Sequence, residues 1–196
     1  MNELDKIKQL REKTFAGMME CKSALAESGG DMNKAVEILR KRGIALATKK
    51  ASRATKEGVV ASYIHINNKI GVLIEVNCET DFVARNDLFK AFVKDLTMQV
   101  AASNPLYIDK EDLPPEVIAK ETEIIKEQHK NKPANVIDKI VQGNLEKFYS
   151  EACLMQQPFV KDPTLTIRDL LTQTIAKTGE NIVMRRFVRY QLGEEV

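Results

Sequence analysis

The sequence predicts an α+β protein: an N-terminal three-helix bundle, then an α+β core in which helices flank a three-stranded antiparallel sheet. Three observations carry this. Apolar residues recur at helical spacing in three short stretches before residue 44. The period then changes to two over Gly58–Ile66 and Lys69–Cys78. After a mostly helical stretch, a last period-two run, Ile182–Leu192, supplies a third strand.

The first helix carries Leu4, Ile7 and Leu10 on one stripe. The second, roughly 15–27, offers Met18, Cys21, Ala24 and Leu25, and Gly29-Gly30 ends it with the left-handed turn glycine tolerates. Asp31 is placed as N-cap of a third helix with Ala35, Ile38 and Leu39 inward and Gly43 as its stop. Residues 44–56 form an Ala- and Lys-rich connector that is helical in part. The expected organisation is a bundle and linker over 1–52 and a core over 53–196.

In the core, Val59, Ala61, Tyr63 and His65 alternate with Val60, Ser62, Ile64 and Ile66; Asn67-Asn68 turns; Ile70, Val72, Ile74 and Val76 alternate with Leu73 and Glu75. This is a β-hairpin. A helix over about 86–102 follows, striped by Leu88, Phe89, Phe92, Val93, Leu96 and Val100. Residues 106–132 are the most polar stretch, with a charged helix from Pro114-Pro115 to the break at Asn131-Lys132-Pro133. Two short helices, about 134–142 and 144–154, are expected on either side of Gly143. Another, Leu165–Thr178, ends at Gly179.

The chain has 196 residues, 43% hydrophobic and 30% charged, an ordinary globular composition. Its net charge of +2 is unevenly spread: residues 1–56 hold 13 Lys/Arg against 7 Asp/Glu, and the rest 17 against 21. Between Arg40 and Lys56 stand seven basic residues and no acid. Such a run is either a phosphate-binding stripe or a solvated helix face. The three cysteines, Cys21, Cys78 and Cys153, are dispersed and form no C-x-x-C pair, which fits a reducing, cytoplasmic compartment. The charged N-terminus lacks a signal-peptide pattern, and no apolar run approaches the ~20 residues needed to span a bilayer.

No catalytic constellation is evident. His65 falls in a strand pattern and His129 in the polar stretch; no phosphate-cradling glycine loop, G-x-S-x-G or H-E-x-x-H occurs. No metal site or cofactor is expected, and a binding protein is favoured over an enzyme. Two rival classes stay open: a nucleic-acid-binding protein using residues 40–56, and an enzyme using His65 or a cysteine.

The most informative segment is Val76-Asn77-Cys78-Glu79-Thr80-Asp81-Phe82-Val83-Ala84-Arg85-Asn86. It leaves a strand pattern and enters a helical one. Asp81 and Phe82, flanked by Thr80 and Val83, stand at the joint. Two readings are open: Thr80 caps a helix while Phe82 packs inward, or Phe82 is a probe aimed at another protein.

Glu-Thr-Asp-Phe-Val in this setting resembles the signature of the elongation factor Ts family. Three other stretches extend the resemblance over nearly the whole chain. They are Thr14–Leu25 with Gly29-Gly30-Asp31 and Lys34-Ala35 behind it; Gln157-Pro158-Phe159-Val160-Lys161-Asp162; and Gly179-Glu180-Asn181-Ile182 followed by Met184-Arg185-Arg186-Phe187. The family usually shows Gly where Phe15 stands. The resemblance implies a ubiquitin-associated-like N-terminal bundle and guanine-nucleotide exchange on elongation factor Tu. It implies that Thr80, Asp81, Phe82 and Val83 contact the partner and disturb its Mg²⁺, with Met18, Met19 and Lys22 as a second contact. It implies a short-form member, with 105–145 in place of the second core subdomain and protruding hairpin of long members. Short members pair, and Ile182–Leu192 is then the candidate edge for a homodimer, unless the helices of 134–154 cover it. No direct nucleic-acid or membrane partner is expected.

Overall fold

The structure, a computed structural model, describes residues 2–14 and 16–195. Phe15, the departure from the family pattern, lies outside the described residues. The chain organises into two compact units. One contains Met1–Ala61, Ile74–Asp95 and Asp169–Phe187; the other contains Ser62–Leu73, Leu96–Arg168 and Val188–Val196.

In the first unit, helices α1 (Glu3–Thr14), α2 (Met18–Glu27) and α3 (Met32–Lys50) pack on one another. Ile7, Leu10, Cys21, Ala24, Leu25, Ala35 and Leu39 form their shared core. Leu4 and Met18, placed by spacing on the inward stripes, are more than half and half exposed. Asp31 caps α3 as expected, accepting from the N–H groups of Asn33 and Lys34 at 2.9 and 3.1 Å. Those bonds hold its carboxyl below the usual aspartate range.

Gly43 does not stop α3; the helix runs through it to Lys50. A glycine inside a helix costs about 1 kcal/mol relative to alanine. Here a Cβ would meet Thr172 and Ala176 at 3.8 Å, an ordinary van der Waals contact, so another helix passes close by without glycine being required. That helix is α8 (Ile167–Thr178). Arg40 reinforces the contact through Asp169 at 2.7 Å.

The sheet is three-stranded and antiparallel, in the order β1 (Glu57–Ile64), β2 (Ile70–Cys78), β5 (Ile182–Gln191). The third strand therefore joins the hairpin beside β2, as its period suggested. Val72, Ile74, Val76 and Cys78 of β2 are buried, and Leu73 is exposed. In β5 the alternation starts with Ile182 and Met184 buried, then shifts phase by one residue. Arg185 and Arg186 are both exposed, and Phe187 and Arg189 turn partly inward. The alternation of this strand is thus less regular than the sequence suggested.

Gly58 is indispensable to the β1–β2 pair. Its φ is +146°, and a Cβ there would fall 2.2 Å from the Val76 carbonyl oxygen.

Helix α5 (Asp87–Ser103) buries Phe89, Phe92, Val93, Leu96 and Val100. In the second unit, α6 (Pro115–Gln128) and α7 (Ala134–Ala152) form a helical hairpin. The polar region 105–145 therefore supplies one arm and part of the other. Gly143 does not divide α7, which is one helix of 19 residues. At the base of the hairpin Leu113, Ala152 and Cys153 are buried against Tyr107, Val117, Ile118, Phe148 and Tyr149. A small hairpin, β3 (Pro158–Phe159) with β4 (Asp162–Thr166), follows. Gln99 and Gln157, both buried, join the end of α5 to this region through a 3.1 Å side-chain bond.

Among the described residues, no helix is long and apolar enough to cross a membrane.

Candidate functional site

Strand β2 ends at Cys78, and the backbone turns into the one-and-a-half-turn helix α4 (Asp81–Arg85). Thr80 is its N-cap: backbone φ/ψ is −130°/157°, and the hydroxyl accepts the Val83 N–H at 3.4 Å. The capping half of the inward reading holds. The other half does not, because Phe82 is 82% exposed. The geometry explains why. Ala84 is the buried residue of α4, and two residues along a helix is a rotation of ~200°, so Phe82 faces the opposite way. Asp81 stands beside it, ion-paired with Arg85 at 3.0 Å. Asn86 leaves the helical region with ψ 137° and caps α5 by accepting the Leu88 N–H at 2.8 Å. The aromatic is therefore presented on a short, doubly capped step between strand and helix.

Met18, Met19 and Lys22 lie on the exposed side of α2, away from buried Cys21, Ala24 and Leu25. Met19 is 75% exposed. Glu20 closes the start of α2 by accepting the Gly17 N–H at 3.1 Å. Both sets of sequence-marked residues belong to the first compact unit.

A group of residues that spacing did not single out holds the step in place. The Glu180 carboxylate accepts the N–H groups of Glu79 and Thr80 at 3.1 and 3.0 Å and the Thr80 hydroxyl at 2.6 Å. In return, the Glu79 carboxylate accepts the Asn181 N–H at 2.6 Å and pairs with Arg53 at 3.3 Å. The Asn181 N–H, with Arg53 behind it, holds the Glu79 carboxyl below its usual range. The Asn181 side chain, 3% exposed, donates to the carbonyls of Ala51 and Arg53 at 3.3 and 2.9 Å. Lys50, itself buried, donates to the Gly179 carbonyl. The end of α3, the strand-to-helix step and the turn before β5 are thereby tied together. Cys78 donates to the Thr80 carbonyl at 3.1 Å. Burial, reinforced by the Glu180 charge, pushes its thiol up to about 11.

Part of the basic run is engaged in the same way. Arg40 pairs with Asp169, Arg42 with Glu27 at 2.6 Å, Arg53 with Glu79, and Lys50 binds Gly179. Four of the run's seven basic residues thus make ties within the chain, which favours the helix-face reading over a phosphate stripe.

Phe82 is thus an exposed aromatic on a clasped step, in the same compact unit as the small helical bundle. The family model described as Elongation factor TS matches residues 3–194. The chain belongs to the elongation factor Ts family. It is 62% identical over 189 residues to elongation factor Ts of Thermodesulfovibrio yellowstonii, covering 96% of this chain and 94% of that one. It is 60% identical to elongation factor Ts of Carboxydothermus hydrogenoformans, over 96% of this chain and 88% of that one. Against elongation factor Ts of Thermotoga maritima the identity is 57%, over 97% and 96%. As a member of the elongation factor Ts family, the chain has a role in translation elongation. The clasp residues Glu79, Glu180 and Asn181 fall within two of the stretches that carry the elongation factor Ts resemblance. Their sequence signal was present; their pairing across about a hundred positions was not.

Proposed function

We propose that this chain is a guanine-nucleotide exchange factor for elongation factor Tu. It binds the GDP-bound form, disturbs Mg²⁺ and phosphate coordination, and promotes GDP release so that GTP can bind. The observation that carries this reading is Phe82, exposed and fixed in orientation at the signature step of an elongation factor Ts family member.

Asp81 and Phe82 engage the partner's G domain, with Thr80 and Val83 framing them, and Phe82 wedges between two helices there. Magnesium demands near-ideal octahedral geometry, so a small shift of its ligands is costly. The weakened ion leaves the phosphates poorly neutralised, and GDP departs. Met18, Met19 and Lys22 provide the second contact. Residues 1–52 thus form the auxiliary docking module and 53–196 the exchange core. Exchange factor and nucleotide weaken each other's binding by the same factor. A thousandfold effect corresponds to ~4 kcal/mol, within reach of a buried aromatic plus a second patch. The chain acts by binding, in the cytoplasm, without a cofactor and without chemistry of its own.

Pairing completes this reading. Strand β5 is a sheet edge and carries exposed Tyr190, with exposed Leu192 just beyond it. A homodimer through this region presents two cores to the partner.

The test is release of fluorescent GDP from elongation factor Tu in stopped flow. Catalytic amounts of this chain are expected to accelerate it; an unchanged rate at saturating protein refutes the proposal.

A further inference from the structure

We infer that Glu180 is the positioning residue of the exchange step: from the turn 179–181 it sets the orientation of Phe82 through Thr80. This rests on the exchange reading above.

The backbone N–H groups of Glu79 and Thr80 have left the β2 ladder and are not yet within α4. Unsatisfied, they would let the step move. A single carboxylate takes both, and its other oxygen takes the Thr80 hydroxyl proton. That last bond has a consequence. A hydroxyl has one proton and two lone pairs. Committing the proton to Glu180 turns a lone pair toward the Val83 N–H, which is the capping bond that starts α4. Glu180 therefore orients the cap, and the cap orients the residue two positions on. Phe82, largely exposed, has little packing of its own to fix its aim. Bonds to an ionised acceptor are about twice as strong as neutral ones, which suits a corner that must stay open on one side.

The clasp is reciprocal, and this distinguishes it from a simple cap. Glu79 returns a carboxylate to the Asn181 N–H, so neither segment shifts without the other. Asn181 and Lys50 extend the tie to the end of α3. Positioning of Phe82 is thus linked to the helix that carries the auxiliary module.

Five proteins test this: the full chain, Glu180→Ala, Glu180→Gln, Phe82→Ala, and Glu180→Ala combined with Phe82→Ala. In GDP-release kinetics, Glu180→Ala is expected to lower the limiting rate by about tenfold or more, since misplacing a positioned group by ~1 Å costs up to ~100-fold. The half-saturating concentration should change less than about threefold, because the contact area survives. Glu180→Gln keeps an oxygen for the two backbone N–H groups but offers a donor NH2 to the Thr80 hydroxyl, and is expected to recover part of the loss. On the Phe82→Ala background, Glu180→Ala should cost nothing more. Two equal, multiplying losses overturn the inference, as does an unchanged limiting rate in folded Glu180→Ala.

A second measurement needs no partner. Amide hydrogen exchange at Glu79, Thr80 and Val83 should accelerate strongly in Glu180→Ala and to a lesser, still measurable degree in Glu180→Gln. Unchanged protection at these three amides overturns the inference by itself. If the full chain fails to stimulate GDP release, the exchange reading fails, while this measurement still decides whether Glu180 holds the step. Should Glu180→Ala not fold, Glu180→Gln carries both measurements, with partial losses expected in each and wild-type values in both refuting the role.

Discussion

Replacing Phe82 by alanine separates a partner-directed aromatic from a core one. Fully burying a phenylalanine side chain stabilises by about 1.5–3 kcal/mol. Phe82 is 82% exposed in the free chain, so nearly all of that remains to be gained on binding. About 2 kcal/mol corresponds to a ~30-fold fall in the second-order rate constant for GDP release from elongation factor Tu. In the free chain the same substitution removes little packing and should move stability by no more than about 0.5 kcal/mol. Phe89, seven residues further on in the chain yet 0% exposed, is the contrast: truncating it should cost about 3–5 kcal/mol. The assay pairs stopped-flow GDP release over a range of protein concentrations with thermal melts of both variants. Full exchange activity in folded Phe82→Ala refutes the assigned role. A melt of Phe82→Ala resembling that of Phe89→Ala refutes the geometry.

Gly58→Ala should fold poorly or not at all, read as loss of a cooperative melt, because its Cβ would collide with the Val76 carbonyl and its φ is positive. The thiols of Cys78 and Cys153, both raised to about 11 chiefly by burial, should react with an aromatic disulfide at pH 8 far more slowly in native than in urea-unfolded protein. Glu79 has a lowered carboxyl pKa, so its contribution is complete above the ordinary glutamate value of about 4.3 and is lost as pH falls through the lower folded value. The melting temperature of Glu79→Gln should therefore be less pH-sensitive in that acid window than that of the unmodified chain, and equal slopes would contradict the assignment. Sedimentation at micromolar concentration should show a species heavier than the 22.1 kDa chain; a single monomer peak counts against pairing.

Glycine shows where legibility in the sequence ended. Gly29, Gly30, Gly43, Gly143 and Gly179 all read as helix stops. Gly29, Gly30 and Gly179 have positive φ, and helices do end there. Gly43 and Gly143 do not have positive φ, and α3 and α7 continue through them. The residue type permits the left-handed turn without requiring it. At Gly43 a Cβ would sit in ordinary contact with Thr172 and Ala176, more than a hundred positions away, so nothing there demands a turn or a glycine. The strands read well because period two is a local signal, and β2 keeps it along its length. The β3–β4 pair gives no such signal, because its first strand has only two residues and shows no period. At the candidate site, the Thr80 cap was legible from neighbours. Whether Phe82 turned inward or outward was not, since that depends on which side of α4 Ala84 buries.

The clasp shows why such a corner is built from charged groups. An aromatic that is to enter a partner cannot be held by its own packing, since burial in the free chain would have to be undone on binding. Its backbone must be held instead, from the side away from the partner. Apolar contacts give no direction to a backbone; hydrogen bonds do. Glu180 and Glu79 supply acceptors whose partners are backbone N–H groups, so the side chains fix the path of the chain and leave Phe82 free. A group fixed before binding loses less conformational freedom in the complex, where ordering costs about 0.5–1.5 kcal/mol per side chain. The cost of this solution is acid sensitivity, because the bond from the Asn181 N–H favours the ionised Glu79 carboxylate. The lowered pKa of Glu79 is the same interaction seen from the proton's side: whatever holds the corner also holds the proton off.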